Sequence, residues 1–351
     1  MPVTVRSFAK INLGLSIGAL RPDRFHDLRT VYQTIALHDI IHVQVGHGTG
    51  IEIRCQDARV PNDASNTCHR LVERAMDALG ARRRVSITIE KQLPVQGGLG
   101  AGSANAVAAL IALEHALKKK LTGAEKLRIA AEIGSDLPLF LVGGTVLGVG
   151  RGEEVYSLPD LPTTVCVVAT SEIGVSTRQA FADWDETMSR DSGAAAELRS
   201  ARTGGRPVPT TRTGDASKLT LAVPSDRMVE ASRRISVWLS GQPLSGVPVS
   251  KGRGRAETSL LDLVRTGIEN DFERVVFPKY PELREVKGVL ERAGAFYASL
   301  SGSGSALYGL FRSRAAAERA AARLRRGSIP AVVTTTMTRQ QYWKKFLVSG
   351  F

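Results

Sequence analysis

The chain has 351 residues, 43% of them apolar, with 47 Lys and Arg against 34 Asp and Glu for a formal net charge of +13. That is room for two domains of roughly 100–200 residues with sizeable cores; it argues against wholesale disorder, and no run nears the ~18 apolar residues of a membrane-spanning helix. Cys55, Cys68 and Cys166 offer neither a disulfide framework nor a paired-cysteine zinc site, and MPVTVRSFAKINLGL lacks the layout of a secretory signal, so a soluble, cytoplasmic protein is expected.

The first 60 residues read as strands and turns, VTVRSFAKINLGLSI, DIIHVQVG and GIEIRC, by their period-2 alternation. Leu71, Val72, Ala75, Met76 and Leu79 fall at helical spacing and predict a helix over 66–79 that stops at Gly80. A strand over 85–94 leads through a Gly-rich turn into a helix over 103–118. A helix over 125–132 and strands in TVLGVGRGEEVYSL and TTVCVVAT come next. From 186 to 259 the texture changes to Ser, Thr, Gly, Pro and Arg around one apolar patch at 235–239, which reads as a long insertion or mobile loop. Periodicity returns near Leu260: helices around 260–275 and over 281–293, strand and turn in FYASLSGSGSALYGLF, a helix over 315–325 and a strand in AVVTTTM. The insertion carries 12 basic and 7 acidic residues, and residues 312–345 carry 9 and 1, so these two segments hold the whole positive excess.

The most informative segment is the run Pro94, Val95, Gln96, Gly97, Gly98, Leu99, Gly100, Ala101, Gly102, Ser103, Ala104, between a strand pattern and a helix pattern. Glycines let backbone N–H groups approach an anion, and a helix start adds free donors and the positive end of its dipole, so the run has the makings of a phosphate cradle. It lacks the Gly-Lys-Ser/Thr ending of a Walker loop, and Lys118, Lys119 and Lys120 stand where a dinucleotide turn wants an acid; a ligand-free flexible turn is the bland reading. Lys10 and Asn12 share one face of their strand and on their own read as two solvated polar groups on an edge strand. Arg21 to Asp27, RPDRFHD, is a turn presenting Phe25 and His26 together. Asp136, in GSDLPLF, stands between a helix and an expected strand, with Pro138 fixing the backbone just beyond it; alone it would be a cap or turn residue. His38, His42 and His47 share no face, which argues against a metal site.

Each motif alone is weak, but AKINL, RPDRFH, PVQGGLGAGSA, GSDLPLF and SGSGSALYG in this order resemble the GHMP kinase superfamily over nearly all of 1–181 and 260–336. RPDRFH points within it to the branch that acts on a cytidine-diphosphate-linked alcohol. The resemblance implies an α+β fold of two domains: a ribosomal-protein-S5-like one over 1–160 with a left-handed βαβ crossover, and a ferredoxin-like one over 161–351 interrupted by the basic insertion. It implies phosphorylation of the 2-hydroxyl of 4-diphosphocytidyl-2-C-methyl-D-erythritol by ATP with Mg²⁺, in isoprenoid biosynthesis.

The residues 94–104 match the family's ATP-phosphate loop, and Asn66 matches a residue close to the adenosine. Asp136 matches the proposed general base, and Lys10 the lysine paired with it. Asn12 matches a polar residue at the methylerythritol end, and Phe25, His26 and Phe181, with Thr177 nearby, match the reader of the cytosine. The turn 301–305 would face the substrate phosphates, and Asn270 and Asp271 read as helix caps. No metal ligands or oligomeric state are implied. Phe25 stands where Tyr is commoner and Arg24 where Gly is usual; Gln96, Ala101 and Ala104 replace small loop residues, and a positive φ at Ala101 would strain it by about a kcal/mol. Rival readings are a homoserine- or mevalonate-type GHMP kinase, which has no cytosine to read, and a nucleic-acid-binding protein, which the scarcity of aromatics in the basic segments opposes.

Overall fold

The computed structural model describes residues 1–95, 97–171, 173–202, 226–240 and 268–348. Two long strands, β1 (Val3–Leu20) and β2 (His26–Gly46), pair antiparallel, with register shifts between Phe8 and Lys10 and between Asn12 and Gly14. Burial along β1 alternates over Val3–Arg6 and is continuous from Ser7 to Leu15, so both faces of its middle are covered. β3 (Gly50–Cys55), α1 (Thr67–Ala78) and β4 (Arg84–Glu90) form a βαβ unit with β3 and β4 parallel. With β5 (Thr145–Val149) and β6 (Glu154–Ser157) they complete a six-stranded sheet of order β3-β4-β2-β5-β6, β1 pairing with β2. α2 (Ala101–Leu117), α3 (Gly123–Ile133) and α4 (Leu137–Val142) share its core. α2 is buried from Ala104 through Glu114, so its sequence has no polar face.

The second sheet contains β7 (Val165–Ala169), β8 (Tyr297–Leu300), β9 (Leu307–Phe311) and β10 (Ala331–Thr335), all antiparallel, in the order β10-β7-β9-β8. Amphipathic helices pack on it: α7 (Glu273–Lys279), α8 (Pro281–Arg292), burying Leu283, Val286 and Leu290, and α9 (Arg314–Arg326), burying Ala317, Ala320, Ala321 and Leu324. This is the expected ferredoxin-like arrangement. β1 ties the two sheets together. Ile11 and Leu13 share a core with Tyr308 and Leu310, while Leu15 and Ile17 join the core of the second sheet.

The structure departs from the sequence reading in four places. The segment read as an insertion or loop contains helix: α5 (Thr177–Arg202) runs into it, and α6 (Asp226–Ser240) buries Met228 and Ile235 at helical spacing while Arg29 donates to the Met228 carbonyl. The rest of that segment, and residues 260–267 of the helix expected around 260–275, lie outside the described residues; α7 begins only at Glu273. Asp136 precedes a helix, α4, rather than a strand, because Pro138 sits in its first turn, where a missing N–H costs nothing. β2 starts at His26, far upstream of the expected DIIHVQVG strand, and pairs there with β1 and then β5. Finally α10 (Arg339–Phe346), mostly polar and unforeseen, returns to the first sheet, burying Tyr342 and Phe346 in its core. Among the described residues no helix is long and apolar enough to cross a membrane.

Candidate active site

Lys10 and Asn12 project from β1 into the protein, 3% and 1% exposed, far from the solvated edge that lone polar residues on a strand would occupy. The Lys10 ammonium donates to Asn12 Oδ1 at 2.6 Å, and Asn12 Nδ2 donates to Thr30 Oγ1 at 2.8 Å, so Asn12 is committed to holding the lysine. Lys10 Nζ lies 3.6 Å from Asp136 Oδ2. Burial pushes the ammonium below its ordinary value, and the Asp136 carboxylate pulls it partly back. Tyr32, buried on β2, donates its hydroxyl to the other carboxylate oxygen, Asp136 Oδ1, at 3.0 Å. Asp136 itself is about one-third exposed at the mouth of a cleft.

That cleft, of about 400 Å³, is lined by Asn66, Lys91, Pro94, Val95, residues 97–103 and Asp136 among others. The 94–104 loop is stitched to β1, Lys10 N–H donating to the Leu99 carbonyl at 3.0 Å. Gly98 and Gly100 take φ of +78° and +70°, the left-handed region that favours glycine. At Gly100 a side chain would also strike Phe140 and the Lys10 methylenes. The expected strain at Ala101 is absent: it is the first residue of α2 and its φ is not positive, whereas Arg24, inside the RPDRFHD turn, takes a left-handed φ of +66°. The N-terminus of α2 has no side-chain cap and no acidic residue in its first turn, so its first N–H groups are free donors. Ala104 is not among them, since its N–H is bonded to the Gly100 carbonyl. Gln96 lies outside the described residues.

Asn66 caps α1, accepting from Cys68 N–H and donating to the Pro61 carbonyl, and it forms one wall of the cleft. The turn 301–305 packs against the loop: Ser301 Oγ donates to the Gly98 carbonyl and Ala306 N–H to that of Gly97. Asn270 holds the turn through Nδ2 donations to the Leu300 and Gly302 carbonyls and accepts from Phe272 N–H; Asp271 accepts from Ile17 N–H. Both therefore fix backbone. On the far side of the turn, Ser303 Oγ donates to Thr177 Oγ1 at 2.8 Å, which leads to the start of α5 and to Phe181.

His26 and Phe181 are brought together, their rings stacked at 4.9 Å and 9°. His26 Nε2 is 2.7 Å from Asp185 Oδ1. Phe181 also sets its edge against Phe272. Phe25 is 49% exposed, with the Arg151 guanidinium 5.0 Å over its ring. The two Phe rings thus do not face each other as an open sandwich: one is covered by His26, the other by Arg151. Three residues that shape the site were missed in the sequence: Tyr32, Asp185 and Asp39. Asp39 is fully buried and accepts from Gln92 N–H, Leu93 N–H, Lys91 Nζ and Asn105 Nδ2, pinning both ends of the loop.

Comparison with known proteins decides which family this geometry represents. Residues 66–144 match the GHMP kinases N terminal domain and residues 256–328 the GHMP kinases C terminal domain. A 4-diphosphocytidyl-2-C-methyl-D-erythritol kinase of Solibacter usitatus (strain Ellin6076) is 35% identical over 90% of this chain and 83% of its own length. The chain belongs to the 4-diphosphocytidyl-2-C-methyl-D-erythritol kinase family of GHMP kinases. Another such kinase, of Desulfitobacterium hafniense (strain Y51), is 32% identical over 96% of this chain and 97% of its own. A crystal structure of 4-(cytidine 5'-diphospho)-2C-methyl-D-erythritol kinase matches with a TM-score of 0.64 at 25% identity, covering 95% of this chain and 98% of that one. A homoserine kinase of Cytophaga hutchinsonii shares the fold at 19% identity and a TM-score of 0.65. The 94–104 loop and the paired Lys10 and Asp136 therefore sit on a GHMP kinase fold.

Proposed function

We propose that this GHMP kinase, working in the cytoplasm, transfers the γ-phosphoryl group of ATP to the 2-hydroxyl of 4-diphosphocytidyl-2-C-methyl-D-erythritol, a step of non-mevalonate isoprenoid biosynthesis. The observation that carries the reading is the Lys10–Asp136 pair, set at 3.6 Å beside the uncapped N-terminus of α2. ATP phosphates lie along the N–H groups of residues 97–103, where the helix dipole and glycine backbone favour negative charge. The Asp136 carboxylate takes the proton of the attacking hydroxyl, and the Lys10 ammonium stabilises charge spread over the transferring phosphoryl. Asn12, tied to Lys10, keeps that ammonium in place. The division into a unit over 1–160 and one over 161–351 belongs to this proposal, with β6 ending at Ser157 and β7 starting at Val165.

Alcohol recognition falls to the surfaces reached from Asp136 by two routes. One leads through Tyr32 and the 151–152 turn to Phe25, the other through the 301–305 turn and Thr177 to Phe181 and His26. Aromatic faces with one imidazole suit a pyrimidine, and homoserine or mevalonate would leave them unused. Mg²⁺ is usually held by substrate phosphates, waters and one or two protein oxygens. The lining fits that mode, since Ser103 and Asp136 both line the phosphate cleft and carry oxygen donors. When bound, the ion would neutralise phosphate charge.

A coupled ADP-release assay with 4-diphosphocytidyl-2-C-methyl-D-erythritol, homoserine and mevalonate side by side tests the reading. Turnover of the first alone is expected. No turnover with it, and turnover with either of the others, would overturn the assignment.

A further inference from the structure

Asp136 has two carboxylate oxygens, and the structure gives them different partners. Oδ2 faces the Lys10 ammonium at 3.6 Å, whereas Oδ1 accepts the Tyr32 hydroxyl at 3.0 Å. Tyr32 is 2% exposed and is clamped from two sides. It occupies the space that a side chain at Gly148 on β5 would need, where a Cβ would come 2.5 Å from Tyr32 Cε2; Gly152, in the turn after β5 at φ +97°, lies against the hydroxyl, where a Cβ would come 2.6 Å from it. The Lys10 ammonium lies 5.7 Å from the centre of the same ring. Burial first, and then the neighbouring carboxylate, push the phenol well above its ordinary range, so it stays a neutral donor.

We infer that Tyr32 is the positioning residue of the phosphoryl-transfer site: its hydroxyl locks the rotation of the Asp136 carboxylate, and Gly148 is a glycine to admit its ring. This rests on the reading of Asp136 as the proton acceptor given above. Asp136 needs such a lock. It sits at the start of the short α4 with no side-chain bond to its own helix, and it is one of the more exposed groups at the site. Without the phenol, the carboxylate would rotate between Lys10 and solvent, and only a fraction of bound complexes would present an oxygen to the alcohol. Tyr32 acts through Asp136 and touches neither nucleotide nor reacting atoms in this scheme.

The test compares wild type, Tyr32→Phe and Gly148→Ala by steady-state kinetics with 4-diphosphocytidyl-2-C-methyl-D-erythritol, by ATP titration and by thermal melting. Tyr32→Phe deletes only the hydroxyl and leaves no unpaired buried donor behind. Its kcat should fall roughly 10-fold or more, the worth of a hydrogen bond to a charged group, with KM for the alcohol and ATP affinity within about 3-fold of wild type. Gly148→Ala crowds the ring without touching the carboxylate and should also lower kcat more than ATP affinity. An unchanged kcat in Tyr32→Phe would overturn the inference. So would a loss shared equally among kcat, ATP affinity and melting temperature, because that is what a merely structural residue would give. Failure of the wild type to phosphorylate this alcohol would instead strike the functional reading.

Discussion

The 94–104 loop, proposed above to hold the ATP phosphates, has no capping side chain of its own at the α2 end, so its shape depends on a residue of β2, Asp39. This carboxylate is fully buried and takes four hydrogen bonds: from Gln92 N–H at 2.7 Å, Leu93 N–H at 2.8 Å, Lys91 Nζ at 2.6 Å and Asn105 Nδ2 at 2.9 Å. Asp39→Ala removes every acceptor at once. It strands a lysine whose side chain is 9% exposed, together with two backbone donors. Breaking a buried ion pair from one side costs about 3–5 kcal/mol, and unsatisfied buried donors cost about 1–3 kcal/mol each, so the two approaches agree on a loss of several kcal/mol. Asp39→Asn keeps one oxygen but turns an amide toward Lys91 or Asn105, and should cost about 1–3 kcal/mol. Urea denaturation monitored by circular dichroism measures the order, which should be wild type, then Asn, then Ala. ATP titration on the folded variants should show affinity weakened at least roughly 10-fold for Ala, because the loop loses its anchor at both ends. An Asp39→Ala protein within about 1 kcal/mol of wild type, binding ATP normally, would refute this account of how the loop is held.

Two further expectations come from the same site. Gly98→Ala meets two obstacles, a φ of +78° and a new Cβ driven into the Ser301 carbonyl, so it should detach the loop from the 301–305 turn and abolish measurable ATP binding in a titration; normal binding would contradict the geometry. Because burial lowers the Lys10 ammonium from 10.5, raising the pH removes its charge early, and the alkaline limb of kcat/KM should break below pH 10.5; a profile flat to that point would argue against a charged Lys10 in the reaction.

Much of this site is legible in the sequence, and the illegible part has a physical reason. Lys10 and Asn12 betray their shared face through strand periodicity, and the glycines of the loop through the backbone freedom that a phosphate cradle needs. Tyr32 and Asp39 give no such signal. Each sits in the long β2 run, where a tyrosine looks like packing and an aspartate like the start of a strand, and the partners of Asp39 lie 52–66 residues farther along the chain. Burial of a charge cannot be seen until those partners converge on it. Asp136 stands out by its motif, yet its setting does not: Pro138 looks like the lead into a strand, although proline favours a first helical turn. In α6 the helical spacing of Met228 and Ile235 is present in the sequence but masked by flanks rich in Ser, Gly and Arg. The net charge of +13 is concentrated in that segment and in residues 312–345, and the small-molecule site is built by neither.

Asp136, paired with Lys10 beside the glycine-rich loop, is proposed to do the chemistry. Asp136→Asn keeps the shape and removes the proton acceptor, so the decisive measurement is kcat for ATP-dependent phosphorylation beside the ATP dissociation constant in this one variant. kcat should fall by about 10²–10⁴-fold, with ATP binding within about 3-fold of wild type. Turnover near the wild-type rate would contradict that role.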